Sequence, residues 1–225
     1  MSIQSRLNRE LYGPSLFEVT LGAALSILLG AVLAAGYLIF TPVKTLRADP
    51  KEGEVGRNEV VYIEGSKSPA RSAQWMRKRQ LLVEGQSGEI SVVEDELNAW
   101  IADGAKPAPG ADAPAPAFLQ PTSVNFRIRG GELQVGVPAS LNAFGYAKDV
   151  IFQMRGTFAQ DGDRHVFVPS ESHLGSLALH RLPAVEGFII GALARTQSAA
   201  EEVSAAWGRV SAVSIEDNAL KLTLR

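Results

Sequence analysis

Residues 124–137 read VNFRIRGGELQVGV, and their alternation decides the fold. Val124, Phe126 and Ile128 alternate with Asn125, Arg127 and Arg129; Gly130-Gly131 supplies a turn, and Leu133, Val135 and Val137 resume the period of two. That pattern predicts a β-hairpin with one apolar face. Two more hairpins follow. Residues 149–158 (DVIFQMRGTF) and 164–169 (RHVFVP) flank Asp161-Gly162-Asp163, while 209–215 and 220–224 flank Glu216-Asp217-Asn218 and put Leu220, Leu222 and Leu224 on one side.

Between the second and third hairpins the period changes to steps of three and four. Val185, Phe188, Ile189, Ala192, Leu193, Thr196, Ala199, Ala200, Val203, Ala206 and Trp207 predict a long C-terminal helix with an apolar face. Three antiparallel hairpins and one such helix imply an α+β fold, a curled antiparallel sheet wrapped on the helix.

Upstream, residues 69–84 read as a helix that opens on Pro69 and sets Trp75, Met76, Arg79, Leu82 and Val83 on one face. Residues 60–63 (VVYI) are a short strand or packing anchor. Gly88 to Val92 predicts a strand leading into a second helix, where Ser91 and Glu94 have capping-box spacing and Glu94, Asp95 and Glu96 load the first turn. The acidic triplet is therefore read as structural, with Leu97, Trp100 and Ile101 as the buried edge. The Ala/Pro-rich stretch 103–117 predicts an exposed, poorly ordered loop inside one domain, residues 59–225.

Residues 19–40 (VTLGAALSILLGAVLAAGYLIF) carry no charge. At 1.5 Å per residue they reach roughly 33 Å, enough to cross a hydrocarbon core of about 30 Å. They predict a transmembrane helix behind a short tail, 1–18, and ahead of a polar stalk, 41–58. The rival reading, a cleaved signal peptide, has Ala34-Ala35-Gly36 in its favour and the continuation through Tyr37-Leu38-Ile39-Phe40 against it. Gly22, Ser26, Gly30 and Ala34 recur every four residues and mark a stripe for another membrane helix or a second copy. Arg6 and Arg9 precede the span, and Lys44, Arg47, Lys51 and Arg57 follow it, so flanking charge favours a cytoplasmic domain. Large domains translocate largely regardless of such charge, and the expectation is an extracytoplasmic domain on a single-pass anchor.

Composition removes several function classes. The 22 Lys+Arg and 24 Asp+Glu leave a net charge of −2, without the basic footprint of a nucleic-acid binder. The chain has no cysteine, which excludes disulfides, thiolate catalysis and a lipoprotein anchor.

The order of these features resembles a known group. A single anchor, the E-L-N helix at 90–101 (ISVVEDELNAWI), hairpins, the passage 173–183 (HLGSLALHRLP), a long helix and a final hairpin are similar to bacterial YpmS-type membrane proteins and YceB-like envelope lipoproteins, relatives of tubular (TULIP-like) lipid-binding domains. The resemblance covers about 88–225 and rests chiefly on Glu96-Leu97-Asn98 and Leu174-Gly175 through Pro183. It implies a helix enclosed by sheet, with apolar space for acyl chains between them. The chain departs from the lipoprotein branch in lacking cysteine and in carrying the Ala/Pro stretch.

Other chemistry is weakly signalled. His165, His173 and His180 lie at gaps that match no standard zinc pattern, and Asp161-Gly162-Asp163 lacks the rest of a calcium loop. Ser170, Ser172 and Ser176 neighbour two of the histidines without a G-x-S-x-G elbow. No catalytic residue, metal or cofactor is expected. Phe126, Val135, Phe152, Met154, Phe188, Ile189 and Leu193 either fill a core or line an apolar groove. The expected function is non-catalytic binding of membrane lipid or another apolar ligand by a membrane-anchored envelope protein. The alternative is a structural or assembly partner of a membrane complex that takes no ligand.

Overall fold

The computed structural model describes residues 13–51, 53–56, 59–104, 118–143, 145–162, 164–196 and 205–225. The chain divides into two compact units, residues 1–39 and 40–225. The first is built on α1 (Leu16–Phe40), 25 residues and long and apolar enough to cross a membrane. It begins three residues before the charge-free run, because Ser15 and Glu18 form a reciprocal cap. Ser15 N donates to Glu18 Oε2 at 3.0 Å, and Glu18 N donates to Ser15 Oγ at 3.2 Å.

In the second unit the hairpin at 124–137 forms as its alternation predicts. Strands β1 (Lys44–Leu46) and β2 (Val61–Ile63) pair in parallel. Helices α2 (Pro69–Ser72) and α3 (Trp75–Glu84), strand β3 (Gly88–Val93) and helix α4 (Glu94–Gly104) follow. Then come β4 (Leu119–Pro121), β5 (Asn125–Arg129), β6 (Glu132–Ala143), β7 (Tyr146–Asp161), β8 (Arg164–Leu174) and β9 (Leu177–Ala178). A 3-10 turn (Leu179–Arg181) leads to α5 (Pro183–Thr196), and the chain ends on the hairpin β10 (Val210–Glu216) and β11 (Ala219–Leu224).

Long β6 organises the larger sheet. β4 and β5 share one of its sides, β7 takes the other, and β8 and β9 continue outward. Ile128, Leu133, Val135, Val137, Leu141, Phe152 and Leu174 are all buried. Their cross-strand pairs, such as Ile128 with Leu133 and Val137 with Phe152, put them on one face.

Several sequence expectations change. The sheet is not curled around a helix; the strands form separate sheets of two, three and six. The last hairpin pairs with β3, where Leu220 meets Val92 and Leu222 meets Ile90. It does not extend β8, whose outer side meets β9 and, at His165 O, the indole N–H of Trp207 at 3.0 Å. A helix running continuously from Val185 to Trp207 is not seen: α5 ends at Thr196, residues 197–204 lie outside the described residues, and helix recurs at 205–207.

Within the stretch 41–58 read as a stalk, Lys44–Leu46 forms β1 and pairs with β2. The helix expected over 69–84 is broken at Ala73-Gln74, and Met76, assigned to its apolar face, is exposed. The Ala/Pro loop expected at 103–117 falls almost wholly at 105–117, outside the described residues, and its first two positions end α4.

Candidate functional site: a polar cleft beside an open strand edge

The alternation that made residues 124–137 a hairpin leaves Asn125 and Arg127 on its polar side, yet both are buried. Two strap segments, residues 44–51 and 59–68, cover that side. Tyr62 on β2 lays its ring over Gly136 on β6, where an added Cβ would stand 2.2 Å from Tyr62 Cε2. The Tyr62 hydroxyl donates to Asn125 Oδ1 at 3.3 Å. Burial, with Glu64 nearby, pushes the phenol up to about 12. Gly65 then passes over Asn125 and Phe126 too closely for any side chain, and its N–H donates to Asn125 Oδ1.

The N-terminus of α4 clamps the strap from the other side. Glu94 accepts from Ser66 N and, at 3.0 Å, from Ile128 N; Asp95 accepts from Ser68 N. Asn98 donates to Ser66 O at 3.0 Å and Phe126 O at 2.8 Å, and accepts from Phe126 N at 2.7 Å. The capping-box contact does occur, shifted two residues along, with Val93 N donating to Glu96 Oε2 at 3.0 Å. Lys78 pairs with the same carboxylate at 2.7 Å. The acidic triplet is structural, as its spacing suggests, but it joins three segments rather than only starting a helix. Asp49 completes the clamp by pairing with both Arg127 and Arg129.

Beside the strap lies a cleft of about 700 Å³, lined on one wall by Glu59, Val61 and Ile63 and on the other by Gln134, Gln153, Arg155, Glu171 and His173. Gln134 Nε2 donates to Gln153 Oε1 at 3.2 Å, and Gln153 Nε2 donates to Val61 O at 3.3 Å. Arg155 pairs with Glu171 at 2.5 Å. His173 Nε2 is 3.7 Å from Glu171 and its ring is 5.4 Å from that of His180. Burial holds the His173 imidazole below its usual range, against the pull of Glu171.

One backbone feature of β2 turns main-chain polar groups toward this cleft. Glu64 N donates to Leu46 O at 2.9 Å, continuing the parallel ladder in which alternate residues of β2 turn their polar groups toward β1. Tyr62 and Glu64 face β1, so Val61 and Ile63 direct their N–H and C=O groups into the cleft, as the Gln153 bond to Val61 O attests. A second cleft, about 1040 Å³, lies on the other side of the clamp between Arg47, Arg127 and Arg129 and the acidic groups of α4.

No protein-family model, curated protein or solved structure matches this chain. Its site must be judged on geometry. Of the residues proposed for an apolar groove, Val135, Phe152, Ile189 and Leu193 are buried, Phe152 at 1% exposure; Phe126 and Met154 are half-buried, and Phe188 is exposed. Phe126, Val135 and Met154 are cross-strand partners, whereas Phe188 stands apart from them on α5.

Gly22, Ser26, Gly30 and Ala34 all lie exposed on α1, with Ser26 Oγ donating to Gly22 O at 2.8 Å. Among the histidines, His173 and His180 converge and His165 does not. His180 Nδ1 approaches the main chain of Ser172, at 3.2 Å from its carbonyl oxygen, while the Ser172 hydroxyl donates to Glu186 at 2.7 Å. Among the described residues no three His, Cys, Asp or Glu side chains are grouped to hold a metal. The sequence reading missed the cleft because its walls are polar residues far apart in the chain. The signal available was Gly136, a glycine in mid-strand, which marks a close approach of another segment.

Proposed function

We propose that the protein is a membrane-anchored, non-catalytic assembly module of the cell envelope, whose domain receives an extended segment of a partner protein along β2. The observation that carries this reading is that Val61 and Ile63 turn their main-chain groups away from β1, with Val61 O already met by a side chain, Gln153, and further hydrogen-bonding side chains across the cleft. An added strand gains affinity from main-chain bonds and specificity from the side chains it meets, and Gln134, Gln153, Arg155 and Glu171 supply such contacts. Burial of Val135, Phe152, Ile189 and Leu193 also supports a partner-binding reading over lipid carriage, because side chains that are already buried do not line an open groove for an acyl chain. A domain of this size translocates largely regardless of flanking charge, so Lys44, Arg47, Lys51 and Arg57 do not count against an extracytoplasmic position.

The test uses the full-length protein in native membranes with a photo-crosslinking residue at Gln134. The expected result is one stoichiometric adduct that Ile63→Pro abolishes, since proline removes the outward N–H, and that a crosslinker at Val168 does not give. Equal labelling from Val168, or an acyl lipid retained at one per chain in native mass spectrometry, overturns the reading.

A further inference from the structure

The cleft beside β2 ends at a corner whose polar side chains are left over. Its floor runs outward across β6, β7 and β8 to β9, where His173 lies opposite Ala178; the turn between β8 and β9 adds Ser176, and the 3-10 turn that follows adds Arg181. Local sequence shapes this corner. Gly175, at φ 58°, lets the chain reverse between Leu174 and Leu177, and its N–H donates to Ile151 O at 2.8 Å. Leu177 and Leu179 are then buried, while Ser176 and Ala178, which alternate with them, line the cleft.

The charged groups that line the cleft are engaged everywhere but at this corner. Arg155 pairs with Glu171 and also stands 3.9 Å from Glu132. Glu59, on the opposing wall, accepts from Gly56 N at 3.1 Å. Arg181 is exposed and, among the described residues, meets no carboxylate or other acceptor; the Ser176 hydroxyl meets none either. His173 is neutral at neutral pH because burial holds its ring below the usual range, and its Nε2, 3.7 Å from Glu171, is beyond a hydrogen bond. Arg181 acts electrostatically on the same ring, which puts its guanidinium near His173. The corner therefore collects donors: a guanidinium, a hydroxyl and an imidazole N–H.

Building on strand addition at β2, we infer that the incoming segment carries a carboxylate and places it at this corner, between Arg181 and Ser176 with His173 beside them. The two oxygens of a carboxylate match the fork of one guanidinium. A single cation beside a neutral ring suits one negative charge better than the near-double charge of a phosphate. The anchor also sets register. Main-chain bonds to Val61 and Ile63 are the same for any sequence, whereas a carboxylate held by Arg181 selects one placement of the segment along β2.

The experiment takes the full-length protein in native membranes, with the photo-crosslinking residue at Gln134, and compares Arg181→Glu with Arg181→Lys. The expected result is an adduct reduced about tenfold or more by Arg181→Glu and kept by Arg181→Lys, because only the second retains a cation for the carboxylate. Mass spectrometry of the adduct locates the crosslinked segment and shows whether its carboxylate is a side chain or a chain end. If it is a side chain, changing it to lysine in the partner restores the adduct with Arg181→Glu; if it is a chain end, one added residue removes the adduct from the wild-type protein. An adduct that Ile63→Pro abolishes and Arg181→Glu leaves intact, equal loss from both Arg181 variants, or a segment without a carboxylate overturns the carboxylate anchor and leaves strand addition standing. No adduct from the wild-type chain, or one indifferent to Ile63→Pro, overturns strand addition and the anchor with it.

Discussion

Asp49 and Arg127 join the segment that follows α1 to the middle of a buried strand. The Arg127 side chain is 8% exposed, its guanidinium meets the Asp49 carboxylate, and the same carboxylate reaches Arg129 at 2.8 Å. A guanidinium that deep in the protein is tolerable only when paired, so the strap is held by more than its short strand.

Asp49→Ala is expected to destabilise the domain by roughly 1–2 kcal/mol, because it leaves the buried Arg127 without that carboxylate, while the half-exposed position of Asp49 lets water offset part of the loss. Arg127→Met in the same chain should recover much of the loss. Urea unfolding of the detergent-solubilised protein measures both. The hydrogen bond from Arg129, aided by Arg127, holds the Asp49 carboxyl below its usual range. Its contribution is therefore complete above about pH 3.9, the unfolded value, and is lost as pH falls through the lower folded value. Wild type and Asp49→Asn should accordingly differ by a constant amount at neutral pH and converge in strong acid.

Gly136 and Tyr62 give a steric prediction. A methyl group at 136 meets the tyrosine ring at 2.2 Å, so Gly136→Ala should cost about 1–3 kcal/mol, and Tyr62→Ala in the same chain should relieve the overlap. Gly65→Ala behaves differently. Its Cβ would meet the carbonyl oxygen of Phe126, which is backbone and cannot be trimmed by a second substitution. Thermal unfolding of the two alanine variants with and without Tyr62→Ala separates the cases: rescue at 65, or its absence at 136, contradicts this geometry.

Asn98 is 1% exposed and satisfies both main-chain groups of Phe126 as well as Ser66 O. Replacing it with leucine orphans these groups at about 1–3 kcal/mol each, and a total near 3 kcal/mol is expected after partial relaxation. Hydrogen exchange should rise first at Ser66 and Phe126, the two segments that Asn98 bridges. Uniform acceleration across the whole domain would instead mean that Asn98 supports the fold globally.

The hairpins were legible because alternation and turn chemistry are local. Gly130-Gly131 turns the first, and Asp217-Asn218, both at positive φ, turns the last. Sheet membership was not legible, because the pairing of Leu222 with Ile90 joins segments more than a hundred residues apart. The buried face of α5 was misjudged for a related reason: apolar residues surround the helix, so the steps through Val185 and Phe188 and those through Ile189 and Leu193 are equally regular. The Ser172 bond to Glu186 and the burial of Ile189 and Leu193 distinguish the inner side. The cleft and clamp escaped the sequence because polar residues such as Asn98, Asn125 and Gln153 look the same whether they face water or one another.

His173 gives the cleft a pH response. Groups facing it are Glu171 and Arg155 from β7 and β8, with His180 and Arg181 from the 3-10 turn. Burial is the largest influence and favours the neutral ring, with His180, Arg155 and Arg181 acting in the same direction and Glu171 opposing them. The folded pKa thus lies below the unfolded value of about 6.5, so the unfolded chain takes up the proton first. Stability is fully present above pH 6.5 and is lost as pH falls through the folded value. His173→Gln, which cannot titrate, should flatten the dependence of unfolding free energy on pH between about 7 and 5. Glu171→Gln should do the reverse and steepen it, because it removes the one neighbour that favours the imidazolium. If Glu171→Gln flattens the profile as well, the carboxylate rather than burial governs His173, and the ring sits charged in the cleft at neutral pH.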